Sequence, residues 1–218
     1  MSDPTQSAIV KTLLEVHGRT YCAELGIDIE KNTPSPLFRW LCAAILFSAR
    51  IGAAQAAKAA KALANNGLTT PKKMANATWE HRVRILNQNG YARYDESTSR
   101  MLGDTSNMLI ETYGGDLRKL RDKAERDPKA MRNALKQFKG LGDVGVDIFF
   151  REVQSPWPEL YPFADKKSLA AAKELNLGSD AETLAKHVSK ADYPRLLTAL
   201  VRTSLGKDFE TIRERISQ

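Results

Sequence analysis

The sequence predicts an all-α protein. Apolar residues recur at three- and four-residue spacing along most of the chain, and no run alternates as a half-buried strand would. Helix-start signals such as Thr70-Pro71, Asp127-Pro128 and Asp192-Tyr193-Pro194 open these segments, and Gly67, Gly178 and Gly206 close them.

Residues 5–26 carry Ile9, Leu13, Leu14, Val16 and Leu25 on a helical period interrupted at Gly18 and Gly26. Residues 31–36 read as a linker, and Ser35-Pro36 opens a helix running through Ile51. Its centre, Trp40 to Phe47, is apolar nearly all round, which places it inside a helical bundle. Ala53 to Leu63 is alanine-rich and strongly helical by propensity. Thr70-Pro71 starts a short element, and Thr78 caps a helix containing Trp79, Val83 and Leu86 that closes at Asn89-Gly90. After Tyr91-Ala92-Arg93-Tyr94, a helix runs through Met101, Met108 and Leu109 to Gly114-Gly115.

The helix begun at Asp127-Pro128 shows one buried face of Met131, Ala134, Leu135 and Phe138. Asp143 is placed to cap its successor, whose apolar positions are Val144, Ile148 and Phe149. The run Ser155-Pro156-Trp157-Pro158 forces a non-helical connection. Asp165 heads a helix to Leu177, and Ser179 with Glu182 forms a capping box for the next. A helix from Asp192 to Gly206 and a charged C-terminal helix complete the chain.

With 218 residues, 42% hydrophobic and 27% charged, the composition is that of a globular protein of one or two domains. The net charge of +7 favours a polyanionic partner. Residues 117–139 hold nine Lys/Arg against three acids, an excess that nearly equals the total. The usual reading of such a run is a solvated, locally paired face; its position just before a glycine turn favours phosphate contact. Cys22 and Cys42 are too few for an iron–sulfur cluster or a four-thiolate zinc site, and His17, His81 and His187 lack metal-ligand spacing. No metal is assigned to side chains. The longest apolar run, Trp40 to Phe47, is too short to span a bilayer, so the expectation is a cytoplasmic protein without membrane contact.

Between the two segments flanking residue 140 lies Phe138-Lys139-Gly140-Leu141-Gly142-Asp143-Val144-Gly145-Val146-Asp147. The bland reading is a structural turn. The functional one is a backbone-lined phosphate site, since glycine admits a phosphate close to main-chain N–H groups and a helix N-terminus adds partial positive charge. Lys139 adds a formal charge beside them.

Three blocks in this order resemble the endonuclease III superfamily of helix-hairpin-helix DNA glycosylases. They are Leu37 to Arg50, similar to an apolar helix ending in Leu-Ser-Ala-Gln; the glycine hairpin, similar to Leu-Pro-Gly-Val-Gly; and Tyr161-Pro162-Phe163-Ala164-Asp165. Gly90 to Tyr94 is similar to the family's Gly-aromatic turn. The resemblance implies a six-helix domain at 32–156 and a discontinuous second domain from 1–31 plus 157–218. It implies a monomer that binds double-stranded DNA across the cleft between them. It places Lys139, Gly140, Leu141, Gly142, Val144 and Gly145 on DNA, with Arg50 at the wedge position.

By the same resemblance Asp165 is the catalytic carboxylate, stabilising an oxocarbenium-like transition state or activating water. Its simpler reading is a helix cap. Val144 stands where bifunctional members carry a Schiff-base lysine, so lyase activity is not expected. No iron–sulfur cofactor is expected, and a monovalent cation on the hairpin carbonyls is compatible with the motif. Trp40, Phe47, Tyr91, Tyr94 and Trp157 are the base-pocket candidates, although most aromatics at such positions are core. The expected activity is a monofunctional N-glycosylase in base-excision repair. The alternatives are an inactive DNA-binding module and a helical protein-interaction domain.

Overall fold

The computed structural model describes residues 4–216, and every regular element among them is helical. In chain order these begin with α1 (Pro4–His17), α2 (Tyr21–Glu24), α3 (Pro34–Ser48) and α4 (Ala53–Asn65). Then come α5 (Pro71–Asn76), α6 (Trp79–Leu86), α7 (Asp95–Tyr113), α8 (Leu117–Lys123), α9 (Pro128–Leu135) and α10 (Asp143–Val153). Finally there are α11 (Lys166–Glu174), α12 (Ala181–Ala185), α13 (Tyr193–Gly206) and α14 (Phe209–Ile216). No helix among the described residues is long and apolar enough to cross a membrane.

Two compact units result, Glu24–Phe149 and a discontinuous one of Met1–Ala23 with Phe150–Gln218. The central unit begins eight residues before, and ends seven residues before, the 32–156 that the resemblance implied. Residues 25 and 26 belong with α3 because the Arg39 guanidinium donates to the carbonyls of Leu25 (2.9 Å) and Gly26 (3.0 Å). At the other end, the Phe150 ring packs edge-on against Phe163, 5.5 Å between centroids.

In the central unit α3 is the core helix. Leu37, Phe38 and Trp40 through Leu46 are buried, and α4, α7 and α8 pack around them. Burying a large apolar side chain contributes about 1.5–3 kcal/mol, so this helix anchors the unit. It is shorter than the sequence reading at its far end. Pro34 rather than Ser35 opens it, and it stops at Ser48, whose hydroxyl donates to the Ile45 carbonyl at 2.8 Å. Arg50 therefore stands in the turn beyond the helix.

Caps elsewhere follow local rules. Thr70, Thr78, Asp127 and Asp165 each accept a backbone N–H of the following first turn. One cap is displaced: Asp180, not Ser179, is the N-cap and accepts from the Thr183 N–H at 2.8 Å, because the helix begins one residue later, at Ala181. The helix headed by Asp165 ends at Glu174, three residues short of Leu177.

The discontinuous unit joins both chain ends around Ile9, Val10, Leu13, Leu175, Leu196, Leu197 and Leu200. Its closure is polar as well. Glu152 is buried and accepts from the Tyr21 and Cys22 N–H groups, both at 2.7 Å, and from the Thr198 hydroxyl at 3.3 Å. Burial pushes its carboxyl above the ordinary range despite those donors.

Candidate functional site

In the central unit, α9, a tight turn and α10 form a helix-hairpin-helix. Phe138 and Leu141 are buried and pin the turn from inside, with the Leu141 N–H donating to the Phe138 carbonyl at 3.1 Å. The Thr105 hydroxyl on α7 donates to the Lys139 carbonyl at 3.0 Å, and the Ser48 hydroxyl reaches the Gly140 carbonyl at 3.4 Å. The end of α3 is thus part of the hairpin's support, and Arg50, exposed, follows two residues after Ser48.

The two glycines do different work. Gly140 has φ +82°, and a Cβ there would lie 2.7 Å from Met101 Sδ and 3.1 Å from Ile45 Cγ2. Its lack of a side chain is a folding requirement. Gly142 is exposed, its φ is not in the left-handed region, and a Cβ would meet nothing within 4 Å. It leaves the backbone open to a ligand. Gly145 is a packing glycine, since a Cβ would lie 2.8 Å from Leu141 Cδ1.

Around Gly142 is an open depression of about 690 Å3, lined by residues including Lys136, Lys139, Gly140, Asp143 and Val144. The first-turn N–H groups of α10 lack acceptors within the helix and carry its positive dipole end. Val144 is 62% exposed on this surface, which corrects its assignment to the apolar face; Val146, Ile148 and Phe149 are the buried positions. Asp143, expected as a cap, is the first residue of α10, and its carboxylate pairs with Lys136 Nζ at 2.9 Å.

Four cations of the basic segment are paired with carboxylates, most of which lie outside it. Arg118 meets Asp116 at 2.7 Å, Arg126 meets Asp122 at 3.7 Å, and Arg132 meets Asp147 at 2.6 Å. Arg121 is buried, and Lys123 Nζ stands 5.7 Å from the Tyr113 ring centroid. Lys139 is exposed with no carboxylate partner among the described residues.

Asp165, in the other unit, is 4% exposed. Its Oδ1 accepts from the N–H groups of Lys167 (3.0 Å) and Ser168 (3.2 Å). Its Oδ2 accepts from the Ser168 hydroxyl (2.7 Å) and from Arg151 Nε (2.8 Å). Burial alone would raise this carboxyl; the Arg151 charge and these hydrogen bonds outweigh it and hold it below the ordinary carboxylate range. Lys166 and Lys167 do not pair with it, and the cation that does, Arg151, was missed in the sequence. It lies fourteen residues upstream, and no local period links the two.

Three of the five aromatic candidates are core and are corrected as base contacts. Trp40 is fully buried with its Nε1 donating to the Phe149 carbonyl at 3.0 Å. Tyr91 is fully buried, its hydroxyl donating to the Leu46 carbonyl at 2.9 Å, and burial pushes its pKa up to about 12. Trp157 is fully buried in the other unit. Phe47 and Tyr94 are partly exposed. No group of three or more His, Cys, Asp or Glu side chains among the described residues could hold a metal. At the hairpin, the carbonyls of Lys139, Gly140 and Gly142 already accept from Thr105, Ser48 and the Val146 N–H. A monovalent cation there would share their remaining lone pairs.

Among solved structures, the chain is similar to endonuclease III in its trapped covalent intermediate with DNA, the estranged-adenine complex. The TM-score is 0.49 and the identity 19%, over 75% of this chain and 71% of that one. No protein-family model and no curated protein matches the sequence.

Proposed function

We propose that the protein grips duplex DNA through the hairpin and acts as a monofunctional DNA N-glycosylase that excises a damaged or mismatched base. The observation that carries the reading is the open depression at Gly142, where first-turn N–H groups of α10 and the unpaired Lys139 face one accessible surface. A phosphate fits that chemistry. Arg50, exposed after α3, would enter the gap left by an extruded nucleotide, and Phe47 and Tyr94 are the aromatics still available to a base.

Hydrolysis of the N-glycosidic bond adds water at C1′ and releases the base. Asp165 would oppose the positive charge that develops on the sugar, as an ionised carboxylate held by the start of α11. Val144 has no amine to form an imine, so the product would be an intact strand with an abasic site. No step is routed through a metal or cation.

Lesion-bearing duplexes incubated with the protein should break after hot alkali and stay intact without it. Absence of alkali-labile sites on a broad panel of lesions overturns the enzymatic reading.

One observation favours a second reading, a DNA-binding module without turnover. Four donors already occupy the Asp165 oxygens, so Oδ2 must leave Arg151 before it can meet water or a sugar. Duplex binding without base release on every lesion would select that reading.

A further inference from the structure

The hairpin that would hold DNA carries its own anion. Asp143, in the first turn of α10, has a side chain 66% exposed and pairs with Lys136 Nζ at 2.9 Å. Arg132 Nη1 approaches the same carboxylate at 3.7 Å, while its Nη2 is committed to Asp147 at 2.6 Å. Lys136, Lys139, Gly142 and Asp143 all line the depression at the turn. The three cations Arg132, Lys136 and Lys139 thus face two carboxylates, which leaves one net positive charge where a phosphate would dock.

We propose that Asp143 is an internal competitor for the DNA phosphate, resting on the DNA-binding reading above. In the free protein it occupies Lys136 and offsets the positive end of the α10 dipole. A phosphate arriving at Gly142 takes over Lys136 and is repelled by the displaced carboxylate. Asp143 therefore holds the anchor weak, which favours release and rebinding along a duplex. Arg132 on α9 and Lys136 just beyond it are cations that meet this carboxylate, and its side chain is largely exposed, so its removal frees charge rather than exposing a buried group.

The measurement is duplex affinity by fluorescence anisotropy across salt. Asp143→Asn should tighten binding about fivefold to tenfold at low salt and steepen the dependence of log K on log salt by about one counterion. Asp143→Glu should restore wild-type behaviour. In the Asp143→Asn background, Lys136→Gln should remove the gain; in wild type it should cost less, because Lys136 is already occupied. Unchanged melting of Asp143→Asn excludes a folding effect. If Asp143→Asn leaves affinity unchanged or weakens it, Asp143 is a structural partner of α9 and the inference is overturned. If the wild type binds no duplex at low salt, the DNA-binding reading itself falls, and this inference with it.

Discussion

Asp165 combines three roles that conflict at a single residue. As a cap it orders the first turn of α11; as the partner of Arg151 it neutralises a guanidinium whose side chain is 5% exposed; as a catalyst it would need a free lone pair. Removing one partner of a buried pair costs about 3–5 kcal/mol, because the other charge is left uncompensated. Asp165→Asn keeps a capping oxygen but loses the charge, so it should lower unfolding stability by about that range in denaturant titrations. The pH arm has a definite sign. The folded-state carboxyl is depressed, so its stabilisation is complete above the unfolded value of about 3.9 and is lost as pH falls through the folded value. Acid unfolding of wild type and Asp165→Asn should therefore converge at low pH, and a constant gap would contradict the ion pair. Loss of activity in this variant counts as chemistry only in a sample that remains folded. The cap was legible in the sequence because capping is decided within three residues; the ion pair was not, because the turn after α10 decides it.

At the scale of elements, the hairpin separates folding glycines from an open one, and a matched pair of substitutions tests the difference. Gly140→Ala places a Cβ at φ +82° and against Met101 and Ile45, and should destabilise by about 1–2 kcal/mol from backbone strain alone. Gly142→Ala meets nothing and should change stability by less than about 0.5 kcal/mol. If a phosphate approaches this backbone, the added methyl should nevertheless cost about tenfold in duplex affinity, through hydrogen bonds to a charged group. Equal affinity for wild type and Gly142→Ala would remove the backbone from the interface. Helix starts were readable here, since Asp127-Pro128 and Thr78 act locally. Val144 was misread because a three- to four-residue period assigns a face only where a neighbour covers it, and in the first turn of α10 the covered side is that of Gly145 and Val146. Trp40 and Tyr91 show the converse: their type fits a base pocket, but only their burial and bonded polar tips reveal a core role.

Across the whole molecule, the formal charge of +7 overstates what a duplex would meet. Of the nine cations in residues 117–139, Arg118, Arg126, Arg132 and Lys136 are paired with carboxylates, and Arg121 is buried. Exposed pairs are individually weak, but each must be exchanged for a phosphate contact rather than simply added to it. Counting charges along the chain cannot show this, because partners such as Asp143 and Asp147 lie beyond the basic run and meet it only when α9 and α10 fold together. Each phosphate neutralised contributes about −0.9 to the slope of log K against log salt, so nine free cations would give a slope of about −8. With Lys119, Lys123, Lys129 and Lys139 unpaired and only some within reach, the expected slope is about −2 to −4. A titration from low to moderate salt on a duplex long enough to cover the central unit measures it directly. A slope steeper than about −6 would mean that the ion pairs of the segment open on DNA, and that the basic run acts as a single polyanion-binding face.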